Sequence, residues 1–392
     1  MNFSRKCRTN FLRRCFLFVL CAMLVCMAQT VQASEGHNMQ EKWIEELLDE
    51  LNLAETDEVL KQELPERLTF SSLVSALTKD GGEGMSLRLL ADYLLDLFFY
   101  EIAAAKPIFL QILCVCLLFA LFGRLLVTRF GYVNDLSFFA VYTGIMMLLL
   151  NSFLLVNNVV EAGMEKMLSF MTAFVPVYAA ALLFSGNMTT AGVFYEMAFA
   201  LIYILELLMR VLFVPGVHIF VLLVMMDNLF EEAKLSKLAD MIESGIRTAL
   251  KMSLAAVVGL GVVQSLIAPA RDRISANSVF QTLQAVPGLG NTFGAAGEIL
   301  VGCGILIRNS VGTAALVVLV VLSAAPAVSV ACFHVMYRLV GACLQPFCDK
   351  RISQCVHEVG RACGLYLKIV GSAMLLLFIT ISMISASASF IY

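Results

Sequence analysis

Residues 192–230 read GVFYEMAFALIYILELLMRVLFVPGVHIFVLLVMMDNLF, and only Glu196, Glu206, Arg210 and Asp227 carry charge in this stretch. A helix at the surface of a soluble domain shows one apolar stripe; this run is apolar on every side. It is also longer than the ~20 residues that cross a bilayer. Backbone polar groups in lipid must pair within their own segment, so the run is helical. Pro215 divides it. Proline lacks an N–H and crowds the preceding turn, so 192–213 and 216–230 form either two spans or one kinked helix.

The rest of the chain agrees with that solvent. Of 392 residues, 60% are hydrophobic and 15% charged, against roughly a quarter charged in soluble domains. Further apolar blocks stand at 107–127, 137–158, 167–185, 252–269, 309–333 and 367–388. The fold class expected is all-α: a polytopic helical membrane protein with about 7–8 transmembrane helices over 106–392.

The N-terminus carries its own signal. Arg5, Lys6, Arg8, Arg13 and Arg14 precede the apolar run Cys15–Ala28, and Val31 and Ala33 sit at −3 and −1 of a small-residue cleavage site. This pattern reads as a secretory signal peptide over 1–33; the alternative is an uncleaved first anchor. Either places residue 34 onward outside the cytoplasm. Residues 34–105 then hold sixteen acids against five bases, a net charge of −11. Apolar residues recur there at helical spacing, at Trp43, Ile44, Leu47, Leu48 and Leu51, and from Leu87 to Phe98. The expectation is a small extracytoplasmic helical region that either docks a partner or caps the membrane domain. Its acidity argues against nucleic acid and anionic lipid headgroups as partners.

Bases in the short loops orient the spans. Eight crossings from an outside start put 231–251 and 334–366 in the cytoplasm, with Lys234, Lys237, Arg247, Lys251, Arg338, Lys350, Arg351 and Arg361. Segment 270–308 falls outside although it carries Arg271, Arg273 and Arg308, and it is the one discordant loop.

Candidate functional residues are few. VPGLGNTFGAAGEILVGCG at 286–304 is rich in glycine. A dinucleotide loop needs G-x-G-x-x-G between a strand and a helix. Here Phe293 holds the third glycine's place, and no Lys-Ser or Lys-Thr follows. Two physical readings remain. Pro287, Gly288 and Gly290 break a helix into a bend, or small residues such as Gly290, Gly294 and Gly297 let helices approach closely. Glu298 and Arg308 flank the run and are a candidate pair. Within the opening stretch, Glu206 and Arg210 share a helix face at i,i+4. With Glu196 they form either a structural ion pair plus a separate carboxylate, or a transport pathway, since ionisable residues inside membranes are functional candidates. Cys343, Cys348, Cys355 and Cys363 share a segment with His357 but show no C-x-x-C spacing for a metal. Neither a metal nor another cofactor is expected. No nucleophile–base set points to an enzyme.

Four stretches taken in order resemble one family. They are FVPVYAAALLFSGNMTTAGVFYEM (174–197), IRTALKMSLAAVVGLGVVQSLIAPARDRIS (246–275), VPGLGNTFGAAGEILVGCGILIRNSVG (286–312) and YRLVGACLQPFCDKRISQCV (337–356). Together they resemble the stage III sporulation protein AE family of endospore-forming bacteria. Its Pro-x-x-Asp-Lys-Arg signature corresponds to Pro346, Asp349, Lys350 and Arg351. The chain departs from the family pattern after Thr190, where a His-Pro pair would stand near Tyr195 and Glu196. The resemblance implies a multi-pass protein of the mother-cell membrane facing the forespore. It implies a non-enzymatic subunit of a channel or secretion-like complex between the two cells. The partners implied are the other stage III sporulation A-operon proteins and a forespore membrane channel protein, with a membrane insertase in biogenesis. A stand-alone secondary transporter using Glu196, Glu206 and Arg210 is the alternative of a different class.

Overall fold

The computed structural model describes parts of 44–118, then 134–186, 188–229, 235–284, 290–346 and 350–389; within 263–284 and 290–301 it describes the backbone path but no side chains. The signal segment 1–33 lies outside the described residues. Described secondary structure is helical throughout, in the order α1 (Ala54–Leu60), α2 (Phe70–Lys79), α3 (Asn134–Phe184), α4 (Met188–Leu208), a π turn (Met209–Phe213), α5 (Val214–Asp227), α6 (Ser236–Gln284), α7 (Gly290–Leu344) and α8 (Lys350–Ser389).

Helix length is the main departure from the sequence expectation. Segments 137–158 and 167–185 read as two spans, yet both lie on α3, which runs 51 residues without interruption. At 1.5 Å per residue that is about 75 Å, well beyond the ~30 Å hydrocarbon core. A single continuous helix crosses once. The charges between them, Glu161, Glu165 and Lys166, sit exposed on the helix surface. Glu and Lys are good helix formers, so nothing there stops the helix. Likewise 192–213 and 216–230 join. Pro215 removes one backbone donor, and the chain answers with the π turn, where the Val214 N–H donates to the Met209 carbonyl. A wider turn keeps the helix continuous where proline would otherwise break it.

Four described helices are long and apolar enough to cross a membrane: Tyr142–Phe184, Thr190–Asp227, Gly302–Leu344 and Lys350–Met383. The segments read as cytoplasmic loops are largely helical too. Residues 236–251 begin α6, 334–344 end α7, and 350–366 begin α8. Block 252–269 lies inside α6, and the described residues of 107–127 are helical.

Helix α7 is the axis of the bundle, packed along both α8 and α3. Small residues set the spacing. A Cβ on Gly163 of α3 would stand 2.6 Å from Cβ and Cγ of Pro326 on α7, so only glycine permits this crossing. Buried side chains then tie the helices. The Tyr366 hydroxyl of α8 donates to Asn157 Oδ1 of α3 at 2.5 Å, and its ring stacks on Phe153. Tyr337 of α7 shares a hydrogen bond with Ser152 of α3 at 2.6 Å, and the Tyr142 hydroxyl of α3 donates to the Met225 carbonyl of α5 at 2.6 Å. Such bonds inside membranes are worth about 1 kcal/mol each. Tyr366→Phe is therefore expected to lower the unfolding midpoint of detergent-solubilised protein modestly. Asn157→Leu with Tyr366→Phe should cost less than the two separate losses summed. Additive losses in a thermal melt would show the pair to be uncoupled.

Acidity sets 34–105 apart, yet its described helices are not isolated. Helix α1 packs on α3, and α2 packs on α7. Phe70 of α2 is fully buried, edge-on to Phe170 and Phe174 of α3 at 6.1 Å.

Candidate functional site: a charged cavity and a flank ion pair

Most buried surface in the bundle is apolar, so the charges that approach it stand out. At one end, the last turn of α5 and the first turns of α6 and α8 come together. The α5–α6 turn is closed by the Leu235 N–H donating to Asp227 Oδ1 at 2.7 Å. Beyond it, Asp240, Glu243 and Arg247 fall at i, i+3 and i+7, along one side of α6. Arg361 of α8 faces that side. Its Nη1 donates to Glu358 Oε2 at 2.7 Å, and its Nη2 reaches Asp240 Oδ1 at 3.0 Å and also Glu243. Glu243 is only 5% exposed and is contacted by Arg247 as well. The Arg361 guanidinium also lies 5.5 Å from the centre of the Phe220 ring of α5, within cation–π range. One planar, permanently charged fork thus joins α5, α6 and α8, which a point-charge lysine would do less well.

Beside this network opens a cavity of about 270 Å³. Asp227, Ser236, Asp240, Arg351, Glu358 and Arg361 line it. It is polar and large enough for several waters. Among the described residues no group of three or more His, Cys, Asp and Glu side chains stands close enough to hold a metal ion. Chemically the cavity offers fixed charges of both signs and solvating groups.

The sequence-derived candidates fall in three places. Arg351 lines the cavity and Lys350 begins α8; Pro346 lies in the α7–α8 turn, and Asp349 lies outside the described residues. Glu206 and Arg210 pair at 2.7 Å, on the outer flank of the bundle, with side chains 46% and 78% exposed. Glu196 is exposed on the same helix. Any pathway lined by these three would run between this chain and a neighbour. The glycine run is helical from Gly290 onward, including Gly294 and Gly297, and the part of the expected bend before Gly290 lies outside the described residues. Pro287 and Gly288 lie outside the described residues, as does the Glu298 side chain, which leaves the expected Glu298–Arg308 pair undescribed. Arg308 is 1% exposed in α7 and donates to Asn309 Oδ1 at 3.1 Å. Close approach occurs at Gly304, where an added Cβ would collide with the Phe184 carbonyl. Of the cysteines, Cys355 and Cys363 are buried within α8 and Cys343 is exposed on α7. The His334 imidazole meets the Gly360 carbonyl at 2.6 Å.

Sequence reasoning missed Asp240, Glu243, Glu358 and the role of Arg361. The signal existed in part: Glu243–Arg247 and Glu358–Arg361 have pairing spacings on helices. It was hidden because both segments read as loops.

Long apolar helices, interhelical hydrogen bonds and a charge cluster at one bundle end define a helical membrane protein. More particularly, the chain belongs to the stage III sporulation protein AE family, whose model matches residues 68–388. It is similar to the stage III sporulation protein AE of Bacillus subtilis (strain 168), 26% identical over 301 residues, which is 76% of this chain and 74% of that protein. Membership implies a role in sporulation. No solved structure matches the chain.

Proposed function

We propose that this protein is a non-enzymatic, multi-pass subunit of the channel or secretion-like complex that links mother cell and forespore after engulfment. Family membership over 68–388 is the observation that carries this reading. It sits in the mother-cell membrane facing the forespore, with residues 34–105 outside the cytoplasm. There the acidic region meets other stage III sporulation A-operon proteins and the forespore membrane channel protein. A membrane insertase serves its biogenesis. The charged network at the bundle end, on the cytoplasmic side in this orientation, fixes the geometry of α5, α6 and α8. Deleting the gene is expected to block sporulation after engulfment and leave vegetative growth intact. A growth or uptake defect in vegetative cells would instead favour a stand-alone transporter.

A further inference from the structure

The helix formed by α4, the π turn and α5 is the least enclosed of the four candidate spans, with 33% of its apolar window buried against 56–67% for the others. Its outer side carries Tyr203, Leu207 and Val211, then Ile219, Leu222 and Met226, all exposed. Lipid covers such side chains well. It does not cover Glu206 and Arg210, which lie on the same side. The pair stands 16 residues after Thr190 and 17 before Asp227, with exposed apolar residues on both sides. A crossing that shelters both apolar halves puts the pair inside the hydrocarbon. Snorkelling relieves charges near helix ends, and this pair is far from either.

We propose that a second copy of this chain covers this face within the membrane. The charges identify the occupant. Glu206 and Arg210 are together neutral and separated by one helical turn. Two parallel copies related by a two-fold axis along the membrane normal bring each glutamate within reach of both its own arginine and its partner's. The four charges then close on themselves without an outside counter-ion. An isologous contact of this kind needs only the patch already present. The inference is independent of the sporulation role and rests only on the helix spanning the bilayer.

The test uses the full chain reconstituted in lipid vesicles, with a photo-crosslinking amino acid at Tyr203 or Val211. The expected result is a self-adduct at twice the mass of the uncrosslinked chain, and none from Leu205, which faces inward and is 2% exposed. E206R and R210E should each lower the self-adduct by about tenfold. Mixing the two variants should restore it, because the doubly basic face of the one then meets the doubly acidic face of the other. Rescue by mixing distinguishes a charge contact between copies from misfolding of either variant. The proposal is overturned if the wild-type chain gives no self-adduct from Tyr203 or Val211, if the adduct is insensitive to both variants, if mixing fails to restore it, or if the crosslinker in cells captures only a different protein.

Discussion

Replacing Gly304 by valine is expected to cut the amount of folded protein in the membrane several-fold. Gly304 lies in α7 where that helix passes the end of α3. A Cβ there would meet the Phe184 carbonyl carbon at 2.6 Å and the Ser185 amide nitrogen at 2.8 Å, with the carbonyl oxygen nearer still. These atoms are backbone and cannot swing away as a side chain would. The same turn is fixed by the Gly186 N–H bonded to the Leu183 carbonyl and by Gly186 at φ +79°, where a side chain is strained. Relief must come from moving α7 bodily, against its long contacts with α3 and α8. Overpacking usually costs about 1–3 kcal/mol and more where the backbone must shift. Alanine already supplies the Cβ, so Gly304→Ala should be harmful too. Gly302 is the control, because a Cβ there meets nothing within 4 Å. Gly302→Ala should be neutral, or stabilising by up to about 1 kcal/mol from helix propensity. Quantifying membrane-inserted protein and its melting for the three variants decides the matter; equal behaviour at 302 and 304 refutes it.

That contrast shows how far the sequence could be read. Composition and unbroken apolar runs fix the solvent and therefore the helical class, because lipid leaves the backbone no other solution. The i,i+4 spacing of Glu206 and Arg210 likewise places both on one face, where they pair. Spacing alone does not say which glycine of 286–304 touches a neighbour, since Gly302 and Gly304 differ only in which way they face. Helix ends were also illegible. Glu161, Glu165 and Lys166 look like a loop by polarity, but polarity reports exposure, and an exposed helix face satisfies it as well as a turn does. Pro215 looks like a break, yet a π turn absorbs the missing hydrogen bond. The burial of Phe70 against Phe170 and Phe174 joins an acidic segment to an apolar one, and no local pattern encodes a contact across a hundred residues.

The charged network was hidden both because its segments read as loops and because Arg361 and Asp240 stand 121 residues apart, and it supports the second large expectation. Arg361→Ala is expected to lower the stability of the solubilised protein by about 2 kcal/mol. Breaking a buried ion pair costs about 3–5 kcal/mol because the surviving charge is stranded. Two facts reduce that here: the Arg361 side chain is 30% exposed, and Glu243 keeps its contact with Arg247. What remains is the loss of the fork to Asp240 and Glu358, of the ring contact with Phe220, and of the tie between α6 and α8. Arg361→Lys keeps the charge but not the planar fork, so it should fall between alanine and wild type. Adding Glu358→Gln to Arg361→Ala removes the carboxylate that has lost its arginine and should recover part of the loss. Thermal unfolding in detergent reads all three. A wild-type midpoint for Arg361→Ala, or no recovery in the double variant, would mean that the network is a solvated surface cluster and that packing alone holds α5, α6 and α8 together.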